Sequence, residues 1–354
     1  MGAVGGWSAI ALLSIALASC GEPPPPAAPR PAPPPPPPPP VALPPPPPHE
    51  LTVPPLALTL IDAPTAQVFH IVDELSHWHR RVGSPYEEWA KKEMPLDDGE
   101  RAMLQAHAKL RAKRRWGSLD QAFSVSVPIE EAVHAAVAKK FLSVPDAENE
   151  RVLLEHFEGR LGPFLESQQA SIAALEARIV SELRRATPLL AHLGRFCEVT
   201  ETLPVRAVLI PSPAKDEGSG RAVRGTITLE VSSLDDATLS FFHQLAHVVL
   251  SQRRGTIAIA AGKCDEAVDD ATLEDGLAYA VAPGLVHPGD ADALRALVDA
   301  SANGTLRDPR VRAERLGLSI RPELGKALDG TGGEQTIGPF MPRVCEAWAK
   351  VAKP

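Results

Sequence analysis

Nineteen prolines fall between Pro23 and Pro48, half of the 38 in the whole chain. Proline fixes φ and carries no backbone N–H, so such a run forms neither helix nor sheet. The stretch has one charge, Arg30, and no aromatic residue. It cannot bury enough apolar surface to offset its chain entropy. Any globular domain must therefore be built from the residues after Pro48. The run reads as a polyproline II spacer, and its 26 residues would reach roughly 80 Å. No basic residues flank the prolines in the way a ligand for a proline-recognition domain would need. Roughly 300 residues remain after it, enough for one large domain or two small ones.

Before the spacer, residues 9–19 (AIALLSIALAS) form an eleven-residue apolar run. That is too short to span a bilayer and fits the apolar region of a signal peptide. It ends in Leu17-Ala18-Ser19-Cys20, which resembles the lipobox of bacterial lipoproteins. The resemblance implies removal of residues 1–19 and diacylglycerol attachment to Cys20. A stable membrane anchor then needs no transmembrane helix. Residues 20–50 would hold the domain away from the membrane. The expected location is the cell envelope, on the periplasmic or surface face of the outer membrane. One departure is that MGAVGGW, ahead of the apolar run, has no Lys or Arg.

The chain carries 36 Lys+Arg against 44 Asp+Glu, a formal net charge of −8. That excludes a protein whose role is to coat nucleic acid. The most basic spot, Lys109, Arg111, Lys113, Arg114 and Arg115, reads as a solvated helical face. Apart from Cys20, the cysteines are Cys197, Cys264 and Cys345, an odd set that allows one bridge. Cys264 with Cys345 is the pairing to test, and the sequence does not decide it.

The expected fold class is α+β and predominantly helical. Residues 51–200 read as a helical region. Val68, Ile71, Val72 and Leu75 share one helical face, and Met103, Leu104 and Leu110 support another helix. Trp78, Tyr86 and Trp89 read as packing anchors around a turn at Gly83-Ser84-Pro85. Residues 129–141 and 147–158 continue the helical pattern. Residues 165–186 are the clearest helix, with a stripe of Ile172, Leu175, Ile179 and Leu183, and Pro188 ends it or comes just after its end. The period then changes to that of strands. Pro204–Pro211 and Arg224–Val231 read as strands, separated by a polar loop over 212–220. Ser232 to Asp236 supplies a helix start. Residues 201–285 make up a small α+β core, and 286–354 a C-terminal helical segment.

His243-Gln244-Leu245-Ala246-His247 falls on the helix that starts near Asp235. Two histidines four apart point the same way from a helix, so both imidazoles reach one metal ion. With 11 His in the chain, about 0.3 such pairs arise by chance, so the bare spacing says little. The full segment, Thr238-Leu239-Ser240-Phe241-Phe242-His243-Gln244-Leu245-Ala246-His247-Val248-Val249-Leu250, says more. It resembles the active-site helix of zinc metallopeptidases, TLxxxHELAHVVL. Downstream, Thr272-Leu273-Glu274-Asp275-Gly276-Leu277-Ala278-Tyr279 resembles the second-helix motif of the gluzincin clan. The resemblance implies a zincin-like core over 201–285, with a small sheet and two active-site helices flanked by helical segments. It implies a zinc cofactor held by His243, His247 and an acid directly before Gly. Asp275, 28 residues after His247, is the strict match, with Glu274 as the alternative ligand. Tyr279 would be an oxyanion donor or a packing residue.

The chain departs from that family at the residue that matters most for hydrolysis. Gln244 stands where the peptidases have the Glu that takes a proton from the zinc-bound water. An amide has no basic lone pair near neutral pH, and loss of a general base alone costs about 10²- to 10⁴-fold. Three explanations stay open. The protein is a pseudoenzyme that binds peptide or protein. Or another acid, from Asp269, Asp270, Glu274 and Asp275, is the base of an active zinc peptidase. Or the His pair is coincidental, in a metal-free envelope interaction protein. His77, His79, His156 and His287 have no partner at ligand spacing. Gly255 to Lys263 lacks the first glycine of a P-loop, and Cys264 stands where Ser or Thr is needed.

Overall fold

In the computed structural model, the described residues are 49–78, 84–114, 117–214, 220–223, 225–231, 233–286, 309–331 and 335–351. Cys20, the apolar run read as a signal segment and the proline run read as a spacer lie outside them, as do Arg115, His79 and His287. The described part is predominantly helical with one small sheet, an α+β arrangement.

Two strands precede the first helix: β1 (His49–Val53) and β2 (Leu56–Ile61). The sequence pattern places residues 51–200 among helices and misses both. Their signal is there, since Leu56, Leu58 and Leu60 alternate and are fully buried. The boundary drawn after residue 50, at the end of the proline run, cuts β1 and leaves β2 in the region read as helical. β3 (Leu203–Pro211), β4 (Gly220–Val223) and β5 (Thr226–Val231) complete a sheet of order β1-β2-β3-β5-β4. β2, β3 and β5 run parallel, and the two edge strands are antiparallel to their neighbours. β5 starts two residues later than Arg224 because Gly225 takes a left-handed φ of 77° to turn the chain back from β4.

The sheet separates two cores. On β3, Val205, Ala207 and Leu209 join one cluster, while Val208 and Ile210 join the other, as a period of two requires. The second cluster is covered by α1 (Pro64–Ser76), α2 (Pro85–Glu93), α3 (Asp98–Lys113), α4 (Ser118–Phe123), α5 (Ile129–Ala138) and the first half of α6. Tyr86 is fully buried here, and its hydroxyl donates to Pro211 O at 2.9 Å.

α6 spans Val144–Phe196, 53 residues and about 80 Å. The sequence pattern reads it as two separate helices, over 147–158 and 165–186, with Pro188 at or just past the end of the second. Both prolines lie inside the helix. An interior proline costs about 3 kcal/mol. Beyond Pro188, Leu190, Leu193 and Phe196 are each buried to 2% exposure or less. At about 1.5–3 kcal/mol per buried side chain, their packing exceeds that cost. Sequence periodicity cannot see that burial.

The first core lies under α7 (Leu234–Leu250), α8 (Arg254–Ala261), α9 (Asp270–Tyr279), α10 (Pro309–Asp329) and α11 (Ile337–Val351). Cys264 and Cys345 form a disulfide that ties the end of α8 to α11, and Cys197 is free and buried. No helix among the described residues is long and apolar enough to cross a membrane.

Candidate metal centre

α7 presents Phe241, Phe242, Leu245, Ala246 and Val249 to the core, all fully buried. That fixes the helix rotation and turns His243 and His247 to the opposite side, where they keep 12% and 20% side-chain exposure. α9 supplies the acids. Asp269 caps it by accepting from Thr272 N at 2.6 Å. Glycines let α9 and α10 cross closely: a Cβ on Gly276 would sit 2.6 Å from Leu316 Cδ2, and one on Gly317 would sit 2.7 Å from Gly276 O. Gly276 thus brings Asp275 to its place through backbone packing.

Three donor atoms converge. His243 Nε2 and His247 Nε2 are 3.2 Å apart, and Asp275 Oδ1 lies 3.1 and 3.3 Å from them. Ligands placed 2.0–2.1 Å from a tetrahedral zinc are about 3.3 Å from one another. The triangle therefore has the size of one face of that tetrahedron, with a fourth position left over. The donor set, two imidazoles and a carboxylate, also suits zinc. His243, His247 and Asp275 are residues whose ligand atoms all lie within 4.8 Å.

The outer nitrogens are held as well. His247 Nδ1 pairs with Glu274 Oε1 at 2.9 Å. His243 Nδ1 lies 3.4 Å from the carbonyl of Ala282, where the backbone leaves helical angles just after α9. Oxygen partners at Nδ1 orient a ring so that Nε2 is the ligating atom. The sequence leaves Asp275 and Glu274 as alternatives. The structure brings Asp275 to both Nε2 atoms and Glu274 to the far side of His247.

Charge accumulates around His247. Burial opposes its protonation, but hydrogen bonds and charge from Asp275 and Glu274 outweigh it and raise its pKa to about 9. Burial would likewise raise Asp275, yet the two imidazoles hold it well below the usual carboxylate range. The Tyr279 ring packs against His243, with centroids 4.3 Å apart and planes tilted by 48°.

Gln244 is half-buried on the neighbouring flank of α7. The edge strand β4 lies directly over it. A Cβ on Gly220 would run into Ser240 Oγ and would sit 3.0 Å from Gln244 Cγ. The acids that could replace Glu at this position are otherwise engaged: Asp269 caps α9, Asp270 pairs with Arg254 Nε at 3.2 Å, and Glu274 holds His247.

A second group, His70, Asp73 and Asp120, also has close donor atoms. There the guanidinium of Arg111 already bridges the two carboxylates at 2.7 and 3.0 Å. The sequence pattern counts Arg111 with an exposed basic face. It is 6% exposed and turned into the core, and Arg114 pairs with Asp146. The signal missed is a set of polar residues on the inner face of α1 and α3.

No protein-family profile matches the chain, and neither curated proteins nor solved structures give a match.

Proposed function

We propose that the chain is a membrane-tethered envelope lipoprotein whose zinc-metallopeptidase-like site binds peptide or protein and hydrolyses it poorly or not at all. The observation that carries this reading is the donor triangle of His243, His247 and Asp275 beside Gln244. The three residues would hold a zinc ion, which supplies Lewis-acid polarisation of a carbonyl or a bound water. Glu274 would keep His247 in the ligating tautomer. Gln244 can donate to and accept from a water but cannot take its proton. β4 is an antiparallel sheet edge beside this helix, so an extended peptide can add to it by main-chain hydrogen bonds.

The lipobox resemblance at Cys20 supports the tether. The Cys264–Cys345 bridge supports an oxidising compartment outside the cytosol. An active peptidase with a relocated base has no free acid to favour it among Asp269, Asp270 and Glu274.

A metal-free interaction protein is the second reading. One observation favours it: Asp275 and Glu274 give both ring nitrogens of His247 a carboxylate partner.

The function is tested by zinc content together with cleavage of unfolded casein, for the native chain and Gln244→Glu. The proposal expects zinc in both, negligible cleavage by the native chain, and cleavage rising on the order of 10²-fold in the variant. Native cleavage that Gln244→Glu leaves unchanged would overturn the binding-only role.

A further inference from the structure

The helical region between β2 and β3 has a link to the candidate site through β4. Arg221, next to Gly220 on that strand, places Nη2 3.1 Å from Asp120 Oδ1. Asp120 on α4 also receives Arg111 from α3 at 3.0 Å. Arg111 donates to Asp73 of α1 at 2.7 Å. The other oxygen of Asp73 meets His107 Nε2 at 2.8 Å, and His107 Nδ1 meets Glu150 of α6 at 3.1 Å. Six side chains from five elements form one continuous chain of opposite charges.

Five of the six side chains are 5% exposed or less, and only that of Arg221, at 32%, reaches the surface. Three carboxylates face two guanidiniums and an imidazole. His107 is a cation at neutral pH because Glu150 and Asp73 outweigh its burial. Buried ionic chains of this kind add little stability over apolar packing of the same volume. What they do supply is fixed geometry, because a charge displaced from its partner in the interior is heavily penalised. β4 is four residues long, half-buried throughout and paired to the sheet on one side only. A short edge of this kind opens at low free energy unless held elsewhere.

We infer that Arg221 is a positioning residue, through which the buried ionic chain of the helical region holds β4 at a fixed height over the His243–His247 helix. This rests on the proposed binding role of that helix. The helical region then acts as a brace for the edge on which a peptide would pair. Gly220 sets the height of the strand by close contact, and Arg221 keeps it there.

The test is amide hydrogen exchange on the full chain, comparing native protein with Arg221→Gln and Arg221→Lys, with zinc content measured on each. Arg221 is part-exposed, and Asp120 keeps Arg111 in both variants, so the fold persists. In Arg221→Gln, peptides covering 220–223 should exchange about tenfold faster, a loss of about 1.4 kcal/mol. β2 and β3 should be unchanged, and Arg221→Lys should recover most of the protection. Unchanged exchange at 220–223 would overturn the inference, and so would equal loosening of the whole sheet, which marks a merely structural role. Zinc content reports separately: loosened β4 with no zinc in any form leaves the brace standing and removes the metal reading. Should Arg221→Gln fail to fold, Arg221→Lys, with its single-point contact replacing the guanidinium, must still show an intermediate loss of protection at β4.

Discussion

Glu274 reaches His247 at the nitrogen opposite to the one that faces Asp275. Neighbours in sequence, the two acids contact Nδ1 at 2.9 Å and Nε2 at 3.3 Å of the same ring. One imidazole is thereby held between two carboxylates, one at each nitrogen. On the proposed metal reading, Asp275 is the ligand and Glu274 orients the ring.

From that division comes an order of effects on zinc affinity. Glu274→Gln removes an orienting charge and should weaken binding by about 10- to 100-fold. Asp275→Ala removes a donor atom and should weaken it further. Competition titrations with a zinc indicator on both variants check the order. A larger loss from Glu274→Gln would reverse the assignment.

Gly276 admits no side chain. A Cβ there meets Leu316 at 2.6 Å, so Gly276→Ala should separate α9 from α10 and destabilise the chain by about 1–3 kcal/mol. Urea unfolding measures the loss. Leu316→Ala in the same chain relieves the contact, so the double variant should lose less than the sum of the two single changes.

His107 makes stability depend on alkaline pH. Burial alone would lower its pKa, but the charges of Glu150 and Asp73 raise it from 6.5 to about 9. A raised folded-state pKa contributes stability that is whole below pH 6.5 and is lost as pH rises through 9. The full contribution is about 3 kcal/mol on the usual scale of 1.36 kcal/mol per unit. Chemical denaturation at pH 7.5 and pH 10 should show a decline that His107→Gln diminishes. A decline of equal size in both proteins would contradict the coupling.

The Cys264–Cys345 bridge closes a sequence separation of 81 residues. Its loss in Cys264→Ala/Cys345→Ala should lower stability by about 2–4 kcal/mol, chiefly by freeing the unfolded chain. Equilibrium unfolding with and without reductant checks this. Reductant should leave the double variant unaffected.

The His pair, the acid-Gly motif and the strand-to-helix switch are local patterns, legible in the sequence, and the structure brings those residues together. The choice between Asp275 and Glu274 depends on how α9 is rotated, which the crossing at Gly276 and Gly317 sets from outside the motif. α6 runs through Pro163 and Pro188 because distant core residues receive its last turns. β1 and β2 are hidden by their position between a proline run and helices. The ionic chain is invisible in the sequence, since its members are scattered from Asp73 to Arg221. Each alone reads as an ordinary surface charge. Only the fold turns Asp73, His107 and Arg111 inward.

The most direct measurement is metal content of the chain purified without chelator or an immobilised-metal column, beside the His243→Ala/His247→Ala variant. The account predicts about one zinc per native chain and none in the variant. No zinc in either protein, even after zinc is added back, would contradict it and leave His243, His247, Glu274 and Asp275 as a metal-free ion-pair cluster.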